Sequence, residues 1–165
     1  MNIKRIVKHA LTTQWHTKKY FTATALDAIE TEIALSEKQH SGEIRFVVEG
    51  ALDGSPLFKN QSAHDRALDI FSQLRIWDTQ DNNGLLIYLL LADHAVEIIA
   101  DRGINAKVGR DEWQTICSTM QNEFARRHFQ TGVCDAIKAI TLHLVKHFAT
   151  SESDENELSN KPVVL

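Results

Sequence analysis

Residues 85–91 read Leu-Leu-Ile-Tyr-Leu-Leu-Leu, the most apolar run in the chain. A strand sends successive side chains to opposite faces, so a strand of this composition presents apolar groups on both. Such strands are covered on both sides, as in sheets packed between helical layers. The run is far too short to cross a bilayer, which takes about 20 apolar residues. The chain therefore needs helices enough for two layers, and its 165 residues suffice for one domain with a single core.

Those helices are legible in the periodicity. Thr24 and Asp27 fit a capping pattern, followed by the stripe Leu26, Ile29 and Ile33 and a stop near Ser41-Gly42. Residues 43–49 then alternate as a strand, with Ile44, Phe46 and Val48 on one face and Glu43, Arg45 and Glu49 on the other. Residues 50–60 are rich in breakers and read as a loop. Ser62 and Asp65 open a second helix, with Ala67, Ile70, Phe71 and Leu74 inward, ending near Trp77. After the apolar strand, residues 92–95 form a hairpin turn and residues 96–100 return as a neighbouring strand. Trp113, Ile116, Met120 and Phe124, then Val133, Ile137, Ile140 and Leu144, mark two closing helices. The first two strands are joined through a helix and should be parallel with a right-handed crossover. The expected fold is α/β: a three-layer α/β/α sandwich with a small mixed β-sheet, in a single domain spanning residues 21–150.

The ends differ in charge. Residues 1–20 hold Lys4, Arg5, Lys8, Lys18 and Lys19 and no acid, and Ile3, Ile6, Val7, Ala10 and Leu11 fall at helical spacing among them. This basic amphipathic segment is expected to pack its apolar face on the domain; peripheral membrane contact through residues 1–18 is the other use of such a segment. Residues 151–165 are expected to form a flexible tail, with Glu152, Asp154, Glu155 and Glu157 but no base before Lys161. Its last residues, Pro-Val-Val-Leu, are apolar enough to dock on the body or on a partner. A net charge of −4 argues against nucleic acid as a partner. The N-terminus lacks a secretory signal, and Cys117 and Cys134 suit a reducing compartment, so the expected location is cytoplasmic.

The loop Asp81-Asn82-Asn83-Gly84 leads into the apolar strand. Strand pairing returns Asp101-Arg102-Gly103 to the same edge, which gathers Asp78, Asp81, Asn82, Asn83 and Asp101. These are hard oxygen donors of the kind that bind calcium, with magnesium second; zinc prefers cysteine and histidine. Asp and Asn also form turns and cap helices without any ligand. Asp81, Asp101 and Arg102 are the candidate catalytic groups. His143 and His147 have a spacing legal for zinc but no matching third ligand, and Cys117 has no activating context. No organic cofactor is expected, since no Gly-rich phosphate loop occurs.

The series Ser41-Gly42-Glu43-Ile44-Arg45-Phe46-Val47, Asn82-Asn83-Gly84-Leu85-Leu86-Ile87-Tyr88 and Val96-Glu97-Ile98-Ile99-Ala100-Asp101-Arg102-Gly103 resembles the TPM-domain family. That family is named for a thylakoid lumen protein, a photosystem repair factor and a nematode receptor modulator. The resemblance covers roughly residues 20–148 and implies an α/β/α sandwich with a loop-lined cleft. It carries over Asn82, Asn83, Gly84, Asp101 and Gly103, with Asp78 and Asp81 as additions. It further implies calcium binding in some members, an acid phosphatase activity in a plant member, and accessory roles at membrane complexes in others. Asn105 stands where the second glycine of the family's acid-x-Gly-x-Gly falls, and Arg75-Ile76-Trp77-Asp78-Thr79 replaces a glycine-containing turn. Many members carry a signal peptide and membrane anchor, so this chain fits a shorter, soluble branch. The favoured expectation is a calcium-binding accessory or interaction module with a protein partner. The alternative is a metal-assisted acid phosphatase acting on phosphomonoesters.

Overall fold

A computed structural model describes residues 2–12, 14–150 and 156–165. The elements in chain order are α1 (Ile3–Leu11), α2 (Gln14–Tyr20), α3 (Ala23–Glu37), β1 (Glu43–Glu49), α4 (Gly54–Phe58), α5 (Ala63–Gln73), β2 (Gly84–Leu90), β3 (Ala95–Ala100), α6 (Arg102–Asn105), α7 (Arg110–Ala125), α8 (Phe129–His147) and β4 (Val163–Val164). The sheet order is β3-β2-β1-β4. β1 and β2 are parallel with Glu43 opposite Gly84, and β3 runs antiparallel to β2 with Ala100 opposite Leu85.

All seven residues of β2 are buried. Leu85, Ile87 and Leu89 pack with Ile29, Ile33, Met120 and Ile140 beneath α3, α7 and α8. Leu86, Tyr88 and Leu90 pack with Ala67, Ile70 and Phe71 of α5 on the opposite face. The three-layer α/β sandwich expected from the apolar run is present.

Several boundaries differ from the sequence expectation. Thr22, not Thr24, caps α3, its hydroxyl accepting from Ala25 N at 3.2 Å. Phe21 and Leu26 join the same core cluster and hold the flanking positions of a hydrophobic staple, which sets where the helix starts. The 50–60 loop contains α4, and Asp101 caps the short helix α6 rather than ending in a plain turn. α5 stops at Gln73, where Arg75 takes a left-handed φ of 53°. Its N–H and that of Ile76 bond back to Ser72 O and Phe71 O, the two bonds of a Schellman stop.

The charged face of β1 is also buried, because α5 and the C-terminal segment cover it. Glu49 accepts from two Arg66 nitrogens, Nε and Nη2, and from the Tyr88 hydroxyl at 2.6 Å. Removing one member of such a buried set strands the others, at a cost of about 3–5 kcal/mol.

Both ends depart from expectation. α1 docks by its polar side: Arg5 and His9 both reach Asp93 in the β2–β3 turn, at 2.7 and 2.9 Å. His9 Nδ1 accepts from Leu52 N, so Nε2 carries the proton donated to Asp93. Most of the apolar side of α1 faces outward, with Ile3, Val7 and Leu11 67%, 51% and 69% exposed, while Ile6 packs against the core cluster on the α5 side of the sheet. The sequence expectation that this face packs on the domain is therefore met only at Ile6. Of the tail expected to be flexible, residues 151–155 lie outside the described residues. Residues 156–165 lie along the domain: Glu43 accepts from the backbone N–H groups of Glu157 and Leu158, and β4 pairs parallel with β1 at Val47 and Val48. The Pro-Val-Val-Leu end thus docks on the body and covers the free edge of β1.

A buried polar chain ties α3 to α8. Gly42 N donates to His40 Nδ1, which places the proton on Nε2 facing Ser36 Oγ at 2.8 Å. Ser36 then donates to Thr141 Oγ1, and Thr141 to Ile137 O. A second ring proton would have no acceptor here, and burial depresses the His40 pKa to about 4. Because the folded state refuses a proton that the unfolded chain accepts, His40 contributes stability above pH 6.5 that is lost as pH falls toward 4. Imidazole NMR at pH 5.5 should find His40 neutral and Nε2-protonated; a titration midpoint near 6.5 would contradict the assignment.

Candidate functional site

The amino ends of β1 and β2 and the carboxyl end of β3 meet at one edge of the sheet. Here the two motifs interlock through backbone. Asp101 N donates to Gly84 O, Gly103 N to Asn82 O, and Glu43 N to Asn83 O, at 2.9, 3.0 and 3.1 Å. Both glycines are required by close approach. A Cβ on Gly84 would lie 1.9 Å from Ile76 O, and one on Gly103 would lie 2.6 Å from the carbonyl oxygens of both Asp81 and Asn82. Asn82 takes a left-handed φ of 52°, a conformation that asparagine tolerates better than most residues.

The side chains divide by environment. Asn83 is 1% exposed. Its backbone N–H donates to Thr79 Oγ1 and its side-chain Nδ2 to Ser41 O, which orients the amide and leaves Oδ1 buried without a partner among the described residues. Asp101 Oδ1 accepts from Arg102 N at 2.7 Å, while its Oδ2 is likewise buried and has no partner among the described residues. Arg102 Nε donates to Asn82 Oδ1 at 2.8 Å. Asp81 is exposed and brings its backbone carbonyl against Gly103. Asp78 turns to an exposed ion pair with Arg75 at 2.6 Å. The edge therefore unites Asp81, Asn82, Asn83 and Asp101, with Asp78 engaged separately. The tail adds a neighbour that sequence distance concealed: Glu157 accepts from Gln80 N, beside Asp81.

Among the described residues, no group of three or more His, Cys, Asp and Glu could hold a metal ion. A cation at this edge would need the mixed set of carboxylate, amide and backbone oxygens. Cys117 is not an activated nucleophile: burial pushes its thiol up to about 12, and the charge of Glu97 adds to the effect. His143 stands edge-on to Trp113, with ring centroids 5.7 Å apart.

The family model described as TPM domain matches residues 16–142. The chain belongs to the TPM domain family. A solved TPM-fold relative, the BA42 protein from the psychrophilic bacterium Bizionia argentinensis, is 33% identical, with a TM-score of 0.77 over 87% of this chain and 94% of that one. The N-terminal domain of a protein from P. gingivalis shares the fold at 16% identity, with a TM-score of 0.62 over 79% of this chain and 82% of that one. No curated protein matches this chain. The interlocked Asn-Asn-Gly and Asp-x-Gly segments thus lie within the matched part of a TPM domain. No helix among the described residues is long and apolar enough to cross a membrane.

Gly84→Ala tests how far this TPM edge depends on close backbone approach. The added methyl meets a backbone carbonyl rather than a flexible side chain, so the loss of stability should be about 3 kcal/mol. Chemical denaturation measures it, and an unchanged midpoint would refute the packing.

Proposed function

We propose that this TPM domain is a divalent-cation-binding accessory module with calcium as its ion. The observation that carries the reading is the pair of unpartnered buried oxygens, Asn83 Oδ1 and Asp101 Oδ2, beside one sheet edge. Buried acceptors are rarely left unpaired, and a hard cation satisfies several oxygens at once. Asp81 and the backbone carbonyls of the loop would complete the set together with water. The chemistry such an ion supplies is charge neutralisation and cross-linking of the loop to α6, suited to ordering a surface that a protein partner recognises.

The alternative, a metal-assisted phosphomonoesterase, would use Asp81 or Asp101 to orient water and Arg102 to meet phosphate. It is less well supported, because Arg102 is already engaged by Asn82 and Arg75 by Asp78. Calcium titration followed by NMR should perturb the Asn83 and Asp101 amides first. Asp101→Asn should weaken binding by about tenfold or more, since ligand charge sets affinity at such sites. Unmoved spectra at several millimolar calcium would remove the metal reading.

The outward apolar stripe of α1 favours a second reading, contact with an anionic membrane surface. Lys4 and Lys8 border Ile3, Val7 and Leu11 around the helix, an arrangement suited to lying in a headgroup layer. Replacing these three exposed apolar residues with serine should abolish co-sedimentation with phosphatidylglycerol vesicles and leave thermal stability unchanged. Equal sedimentation of both proteins would reject this reading.

A further inference from the structure

A cavity of about 480 Å³ lies at the opposite edge of the sheet, beyond the carboxyl end of β2. Open α/β sheets favour ligands at that edge. The floor is apolar and aromatic, built from Leu89, Leu91, Tyr20, Phe124 and Phe129. Tyr20 and Phe124 each stack with Phe129, with centroid separations of 4.4 and 5.1 Å. The rim carries Lys8, His16, His94 and Arg127.

The charge is one-sided. No Asp or Glu lines the cavity among the described residues. The nearby acids are engaged elsewhere: Asp93 by Arg5 and His9, Glu123 by Arg126 and His128. Lys8 and Arg127 have no ion-pair partner among the described residues. Burial, and after it the positive charge of Lys8, holds His94 below its ordinary pKa against the opposing charge of Asp93. In a chain of net charge −4, this convergence of bases needs a reason.

Two of the bases sit on unusual backbone. His94 and Arg127 both hold left-handed conformations, with φ of 52° and 65°. Arg127 occupies the left-handed position of the α7 Schellman stop, where its N–H bonds Phe124 O and that of His128 bonds Glu123 O. Glycine is the favoured residue there. Arginine costs stability at such a position, as Arg75 does at the stop of α5, but of these two only Arg127 lines the cavity.

We propose that this cavity binds a small organic anion with an apolar body, its carboxylate or phosphate held by Lys8 and Arg127 and its body lying on the Tyr20, Phe124 and Phe129 rings. The volume is within the range of about 300–1,000 Å³ typical of small-molecule sites. A free acid and a monomeric anionic lipid present the same head and body, and the test separates them.

The probe is the dye 8-anilinonaphthalene-1-sulfonate, read by fluorescence on the full chain. Decanoate, short-chain phosphatidylglycerol below its micelle concentration and decyltrimethylammonium serve as competitors. Both anionic competitors fit the shared chemistry, and the stronger one identifies the source. Arg127→Gly is the informative variant: it removes the charge and relieves the strain, so its melting temperature should hold or rise while dye affinity falls at least tenfold. Lys8→Gln, on an exposed helical position, should weaken binding in the same direction. In NMR, shifts should centre on Leu89, Leu91 and Phe129. Unchanged affinity in both variants, displacement by the cationic competitor as good as by the anions, or shifts centred elsewhere would each overturn the proposal.

Discussion

β2 has no face that meets water, and the rest of the architecture answers that constraint. Its alternate residues drop into two separate core clusters, one under α3, α7 and α8 and one under α5. Each fully buried large aliphatic side chain gains about 1.5–3 kcal/mol over exposure, so leaving either face open would forfeit much of the fold's stability. The same demand buries the charged face of β1. There Glu49 is retained because Arg66 and Tyr88 satisfy its oxygens, and Glu43 because the tail's N–H groups do.

The sheet then has two ends with different chemistry. At the amino end of β2 the loop is drawn tight by backbone contacts through Gly84 and Gly103, and its unsatisfied groups are oxygens. At the carboxyl end the α1 latch on Asp93 and the stop of α7 bring bases around an aromatic floor. The proposed ligands follow that difference: a hard cation at the first end and an organic anion at the second. The two lie at opposite ends of a seven-residue strand, each with its own set of side chains.

Much of the first end was legible in the chain. Strand parity and one crossover were enough to bring Asp101 beside the Asn82-Asn83-Gly84 loop, because antiparallel pairing must return the third strand to the edge where the second began. What periodicity could not provide was the state of each side chain. Asp78 and Asp81 look alike in sequence, yet one is paired with Arg75 and the other stands at Gly103. The orientation of α1 was misread for a related reason. Its apolar stripe promised burial, but Arg5 and His9 both find Asp93, and that polar contact turns all of the stripe except Ile6 outward. The second end left only a weak trace: His94 in a tight turn and Arg127 where a glycine stop is usual.

The sequence alone determined the layers, the order of the three central strands and the longer helices around them, the parallel pairing of the first two strands and the meeting of two motifs, because these follow from local periodicity and a few rules of chain connection. Tertiary structure alone decided that Asn83 and Asp101 keep unpaired oxygens, that the tail becomes a fourth strand, and that Lys8 and Arg127 share a cavity. Those outcomes depend on residues far apart in the chain: Lys8 and Arg127, 119 positions apart, line one cavity. Local pattern carries no record of such distances.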